Sequence, residues 1–313
     1  MKKIFTLILA CFILFACKKS GEIEKTYYPN GNIESEIEYK NGKENGIARR
    51  YYETGELESV ENWKDGKKEG IYKEYHKNGK LKLEGDYKVS KQEGIFKTYY
   101  ESGQLEGEIN YKDGELNGTA KLYGKNGQLK VEGNFKNDKK DGIFKSYYET
   151  GELSSEENYK DGKADGIKRK YYLNGNIKSE IEYKNGKENS LEKYYYKSGQ
   201  LKSEGNYKSG KRDGIFKSYY KTGELYSEEN YKDGKIEGIY KWYYKAGGLR
   251  EEQNYKDGEL NGVFKTYYKN GQLESEENYK SGKLDGVTKK YYETGELWSE
   301  GNWKDDIREG TFR

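Results

Sequence analysis

Thiols, histidine and proline are nearly missing from this 313-residue chain, which has Cys11 and Cys17, His76 and Pro29. One histidine leaves a Ser-His-Asp triad no second candidate, and with both thiols in the first twenty positions a Cys-His dyad has none beyond them. Zinc sites built from the usual Cys and His ligands are excluded on the same ground. Gly-x-Gly phosphate loops are absent as well. Apolar residues make up 32% of the chain against 36% charged, so an interior of Leu, Ile and Val is not available. A charge excess is also lacking. The formal net charge is +3, and +1 without the first sixteen residues, which hold Lys2 and Lys3. That is no footprint for nucleic acid or for an anionic membrane surface. The composition points away from an enzyme and implies no cofactor and no metal.

What is abundant recurs on a fixed beat. A leading tyrosine returns every 24 residues, at Tyr27, Tyr51, Tyr75, Tyr99, Tyr123, Tyr147, Tyr171, Tyr195, Tyr219, Tyr243, Tyr267 and Tyr291. Four residues after each stands glycine, six after stands Leu or Ile, and twelve after stands an aromatic, from Tyr39 and Trp63 to Trp303. Twelve units in phase mean a repeat architecture, in which each unit packs on its neighbours. The 35 tyrosines on fixed beats argue against disorder. His76 stands where other units carry the second residue of a Tyr-Tyr pair, and reads as a neutral replacement in that column.

Two turn signals mark every unit. The first is Asn30-Gly31, Thr54-Gly55, Asn78-Gly79 or Ser102-Gly103; the second is Asn41-Gly42, Asp65-Gly66, Asp113-Gly114 or Asp161-Gly162. Asx-Gly pairs accept the positive φ of two-residue hairpin loops, so each unit reads as one β-hairpin. The expected fold is all-β, an elongated single-layer antiparallel meander of about twelve 24-residue hairpins. That register sets Lys25 opposite Glu36, Lys73 opposite Glu84, Arg169 opposite Glu180 and Lys289 opposite Glu300, with Arg49 opposite Val60 as the exception. Alternation then puts the leading tyrosines, this Lys–Glu ladder and Ile47, Ile71, Ile95 and Ile143 on one face. Leu57, Leu81, Trp63, Tyr87 and the second tyrosine of each pair fall on the other. A bulge near Gly46, Gly70 or Gly118 would break that parity.

The N-terminus is a separate object. Lys2 and Lys3 precede an uncharged apolar run from Ile4 to Phe15, too short to span a membrane and shaped like a secretory signal. Leu14-Phe15-Ala16-Cys17 resembles a bacterial lipobox, with Phe15 in place of the usual small residue. The resemblance implies cleavage before Cys17 and lipidation of its sulfur. The expected organisation is a lipoprotein signal over 1–16, lipidated Cys17 with a short tether over 17–26, and the repeat array over 27–313.

Tyr51-Tyr52-Glu53-Thr54-Gly55-Glu56-Leu57, continued by Asn62-Trp63-Lys64-Asp65-Gly66-Lys67 and Gly70-Ile71, resembles the bacterial MORN-repeat variant. Tyr123-Gly124 and Asn189-Ser190 depart most from the pattern and mark expected kinks. The resemblance implies β-hairpin repeats, and links the chain to toxin-neutralising antitoxins and to lipoproteins. Tyr-Tyr-x-x-Gly-x-Leu is also similar to cell-wall-binding repeats whose aromatic cages hold choline or glycan. The period differs, though, and only Trp63, Trp242, Trp298 and Trp303 supply indoles. The leading expectation is a cell-envelope lipoprotein, in contact with the membrane through its anchor alone. Its partner is a protein or another envelope macromolecule, bound on a surface formed by Tyr52, Tyr100, Tyr148, Tyr172, Tyr220, Tyr244, Tyr268 and Tyr292.

Overall fold

A computed structural model describes residues 21–310. The signal segment and Cys17 lie outside the described residues. The chain divides into two compact units, Met1–Gly127 and Gln128–Arg313. In the first, β1 (Glu22–Tyr27), β2 (Ile33–Lys40) and β3 (Lys43–Tyr51) open an antiparallel meander that continues to Glu115–Tyr123. The second repeats the arrangement from Leu129–Lys136 to Ile307–Glu309. β1 begins inside the stretch expected as tether. Strands pair with their neighbours in sequence, so each unit is an open sheet rather than a closed barrel.

The two turns are chemically different. At the second, Asn41 and Gly42 both take positive φ, 53° and 74°, and Lys40 pairs with Lys43, as a two-residue loop requires. At the first, only the glycine is left-handed: Gly31 has φ 88°, its N–H donates to Tyr28 C=O at 2.9 Å, and Tyr28 N–H donates to Asn32 C=O at 2.8 Å. This is a three-residue loop, which corrects the two-residue reading. It explains why Thr54 and Ser102 are accepted before their glycines, since that position needs no positive φ. The extra residue makes a one-residue bulge, so Tyr27 lies opposite Ile33 while Lys25 still faces Glu36.

The bulge expected at the second glycine is present, but it spans two residues. Ile37 pairs with Ala48 while Tyr39 pairs with Glu44. An even shift preserves alternation, so both faces survive it. Gly46 has φ 121°, and a Cβ there would lie 2.0 Å from the Glu38 carboxylate. The departures from the pattern leave the hairpins in register. Gly127 N–H still closes on Gly124 C=O at 2.8 Å, and the shift recurs between Ile181↔Glu192 and Tyr183↔Glu188.

Turn-to-turn bonds tie successive hairpins on both margins: Gly66 N–H donates to Glu44 C=O at 2.9 Å, and Asn30 Nδ2 to Glu53 C=O at 2.9 Å. Among the described residues the buried apolar side chains are Ala48, Phe96 and Phe144. Stability therefore rests on strand ladders and cross-strand pairs in a single layer.

Candidate functional site

The second tyrosines form rungs between hairpins. The hydroxyl of Tyr52 donates to Tyr75 C=O at 2.7 Å, Tyr100 to Tyr123 at 2.8 Å, Tyr148 to Tyr171 at 2.6 Å and Tyr172 to Tyr195 at 2.8 Å. Tyr220, Tyr244 and Tyr268 do the same to Tyr243, Tyr267 and Tyr291. Tyr28 and Tyr196 belong to the same column. His76 keeps the rung, with Nε2 2.9 Å from Tyr99 C=O, which requires a proton on that nitrogen. Tyr292 is the exposed member and packs its ring 6.2 Å from Trp298. The rings of the others are half-buried, with their hydroxyls tied to backbone.

On the same face a central column alternates large and small residues across strands. Phe96 leans over Gly85, Phe144 over Gly133 and Phe216 over Gly205; a Cβ on these glycines would lie 2.5, 2.3 and 2.1 Å from the facing ring. Cations insert between the rings. Lys68 Nζ lies 5.6 Å from Trp63, 5.0 Å from Tyr72 and 5.4 Å from Tyr87, and 3.2 Å from the Glu61 carboxylate. Lys140 sits 4.7 Å from Phe144 and 4.6 Å from Tyr159, and Arg212 4.8 Å from Phe216 and 5.1 Å from Tyr231. The sequence reading overlooked this column. Setting the units beneath one another exposes it, because Gly85, Gly133 and Gly205 each accompany a Phe eleven residues on.

The opposite face carries the ladder as expected. Lys25 Nζ lies 2.6 Å from Glu36 and Arg169 Nε 2.8 Å from Glu180. The next leading tyrosine completes several of these sites: Tyr51 donates to Glu36 at 3.0 Å and Tyr195 to Glu180 at 2.8 Å. Arg169, then Tyr195, holds the Glu180 carboxyl below its ordinary range against the opposing effect of burial. Burial first, then the glutamate partner, pushes Tyr99, Tyr147, Tyr195 and Tyr219 up to about 12. These hydroxyls stay neutral donors at physiological pH and are no nucleophiles. Beside the ladder stand exposed aliphatic side chains, Ile71 at 52% and Ile95 at 51% in the first compact unit, Ile143 at 50% and Ile215 at 50% in the second.

Among the described residues no cluster of His, Cys, Asp or Glu is suited to a metal ion, and no helix is long and apolar enough to cross a membrane. No curated protein matches the chain. Similar solved structures include the TcdB2–TccC3–Cdc42 complex, at 14% identity over 90% of this chain and 15% of that chain, with TM-score 0.19. The TcdB2–TccC3–TEV structure is similar at 13% over 90% and 15%, with TM-score 0.18. The Tc holotoxin pore of Photorhabdus luminescens is similar at 13% over 91% and 18%, with TM-score 0.18. The chain spans less than a fifth of the length of those solved chains, and at such scores nothing about them carries over. The repeats do identify a family. Segments 23–41, 44–65, 68–88, 92–113, 116–137, 140–161, 164–185, 189–209, 212–233, 236–257, 260–281 and 284–305 each match the MORN repeat variant. The chain belongs to the MORN repeat variant family.

Proposed function

We propose that this chain is a cell-envelope lipoprotein, tethered through lipidated Cys17, that binds a protein partner along the ladder face. The observation that carries the reading is the exposed isoleucine beside the leading tyrosines, which recurs in many of the hairpins, as at Ile71, Ile95, Ile143 and Ile215. Copies two strands apart stand about 9.6 Å from one another, given a strand spacing of about 4.8 Å. A partner with a matching repeat, or one that engages several copies, gains through effective concentration what each weak contact lacks. The anchor rests on the basic start, the apolar run and the Ala16-Cys17 junction. Several acyl chains on one sulfur hold a protein stably, at about 0.8 kcal/mol per buried methylene.

The Cys17→Ser variant tests the tether: it is expected to move from the membrane to the soluble fraction, and unchanged fractionation removes the anchor. That soluble variant then serves as bait against solubilised envelope. Capture of a protein that is lost on Ile143→Lys with Ile215→Lys supports the ladder face. Capture unaffected by those changes places the contact elsewhere. A cognate toxin as the captured species would turn the reading from scaffolding to neutralisation.

A further inference from the structure

Two carboxylates are buried among the described residues, and the fold treats them differently. Glu61, 5% exposed, has the Lys68 ammonium at 3.2 Å within its aromatic surround. Glu192, 6% exposed, receives only the Tyr194 hydroxyl, at 3.1 Å, and no lysine or arginine of the described residues pairs with it. It stands in a column that holds Ala48, Tyr72, Phe96, Phe144 and Phe216 in other units.

Nearby cations are engaged elsewhere. Lys168 is paired with Glu157. Arg212 stacks on Phe216 and Tyr231, donates to the Tyr231 hydroxyl at 2.9 Å, and lies 4.0 Å from Glu229. The cross-strand neighbour of Glu192 is Gly205, which has no side chain to cover it. What results is a cavity of about 150 Å³, bordered by Glu192, Tyr194, Ser203, Tyr207 and Phe216, with Glu204, Glu229, Arg212 and Lys217, itself paired with Glu228, also on its margin.

We propose that this slot binds an alkylammonium group, with the ammonium on the Glu192 carboxylate and the alkyl stem against Tyr194, Tyr207 and Phe216. A charge removed from water without a partner is strongly unfavourable, and an incoming cation supplies the missing one. Aromatic walls favour a cation over a neutral group. The Glu61 site shows the same chemistry completed from within, by a primary ammonium. The hydroxyls of Tyr194 and Ser203 accept from N–H donors, which a quaternary ammonium lacks. Burial, with Glu188 adding to it, pushes the Glu192 carboxyl up, while the Tyr194 hydroxyl and Arg212 act in the other direction. An ammonium ligand would bring the carboxyl back down. The slot stands independently of the ladder face and of the anchor.

Isothermal titration of the full chain at pH 7.5 and low salt tests the assignment. The probes are 1,5-diaminopentane, Nα-acetyl-lysine amide and tetramethylammonium, run on wild type, Glu192→Gln and Glu61→Gln. One-to-one binding of a primary amine is expected, at least tenfold weaker for Glu192→Gln, unchanged for Glu61→Gln, and at least tenfold weaker for tetramethylammonium. Preference for the free diamine assigns a small-molecule ligand; preference for the lysine amide assigns a protein side chain. Equal affinity in wild type and Glu192→Gln, or no binding by any amine, overturns the proposal. Should Glu192→Gln melt early, the wild-type pH series decides. Affinity falls as acid protonates Glu192, and a flat profile across the carboxylate range overturns it. Glu188, Glu204, Glu229, Arg212 and Lys217 are the other charged groups around the slot, so Glu188→Gln, Glu204→Gln and Glu229→Gln are titrated alongside and are expected to keep the acid limb.

Discussion

At the scale of single residues, buried charge and close packing make opposite demands on stability. Glu192 holds its proton more tightly folded than unfolded, because burial disfavours the anion. Between its unfolded value, about 4.3, and its raised folded value, the unfolded chain binds fewer protons, so this group lowers stability as pH rises. Glu192→Gln is therefore expected to melt above wild type at pH 7 without amine, with the gap closing in acid. A scan from pH 7 to 3.5 checks it, and a lower melting point at pH 7 contradicts an unpaired charge. Glu180 has the reverse sign. Arg169 and the Tyr195 hydroxyl stabilise its anion, so its contribution is present above the unfolded value and lost as pH falls through the depressed folded one. Glu180→Gln is expected to destabilise at pH 7 and to match wild type in acid. Packing sets the other demand. Gly205→Ala places a methyl 2.1 Å from the Phe216 ring, and is expected to destabilise by about 1–3 kcal/mol in urea melts. Gly205→Ala combined with Phe216→Ala removes the clash and recovers part of that loss.

At the scale of turns and strands, loop chemistry decides which substitutions are tolerated. The second turn needs positive φ at both loop residues, yet the third turn of this kind is closed by Val89 and Ser90, at φ 51° and 61°. A β-branched residue there is strained by about 1–2 kcal/mol, and Val89 is half exposed, so little packing is lost by replacing it. Val89→Asn with Ser90→Gly is expected to stabilise the chain by about 1–2 kcal/mol; an unchanged denaturation midpoint would show that the turn carries no such strain. The same chemistry governs what the bare chain disclosed. The Lys–Glu register was legible because two glycine beats per unit leave one consistent pairing, and Lys25↔Glu36 and Arg49↔Val60 both stand as read. The first loop was misjudged because Thr54-Gly55 and Ser102-Gly103 were taken as equivalents of Asn30-Gly31. Thr54, a β-branched residue in the same place, already signals that the position before glycine is not left-handed. The tyrosine rungs were not legible, since a hydroxyl reaching the next unit's backbone depends on distance across strands rather than on spacing along them. Tyr148→Phe should remove one such bond, at about 1 kcal/mol. Glu192 was legible only as an acidic residue in a column that also holds Phe96, Phe144 and Phe216; its lack of a cation is a fact of three dimensions.

At the scale of the whole molecule, the consequence of one layer is that stability accrues between neighbours. Each strand bonds to the next in sequence, and buried apolar side chains are too few to act as a shared interior. A linear array of this kind tolerates loss of whole units and resists loss of fractions. Removing residues 219–266, two complete periods, joins Ser218 to Tyr267 and restores every beat of the pattern. Removing residues 219–254, one and a half periods, sets a strand that ends in a leading tyrosine where a Leu-led strand belongs. The first deletion is expected to keep a cooperative urea transition, with its β signal reduced in proportion to length and its slope lowered as less surface is exposed. The second is expected to lose pairing at the junction and to split its transition, because charged and aromatic columns no longer meet their own kind across the joint. Circular dichroism with urea titration separates the two. Complete loss of β signal in the first deletion, or equal behaviour of both, would mean that distant units hold one another up. The open meander of nearest neighbours could not then account for the fold.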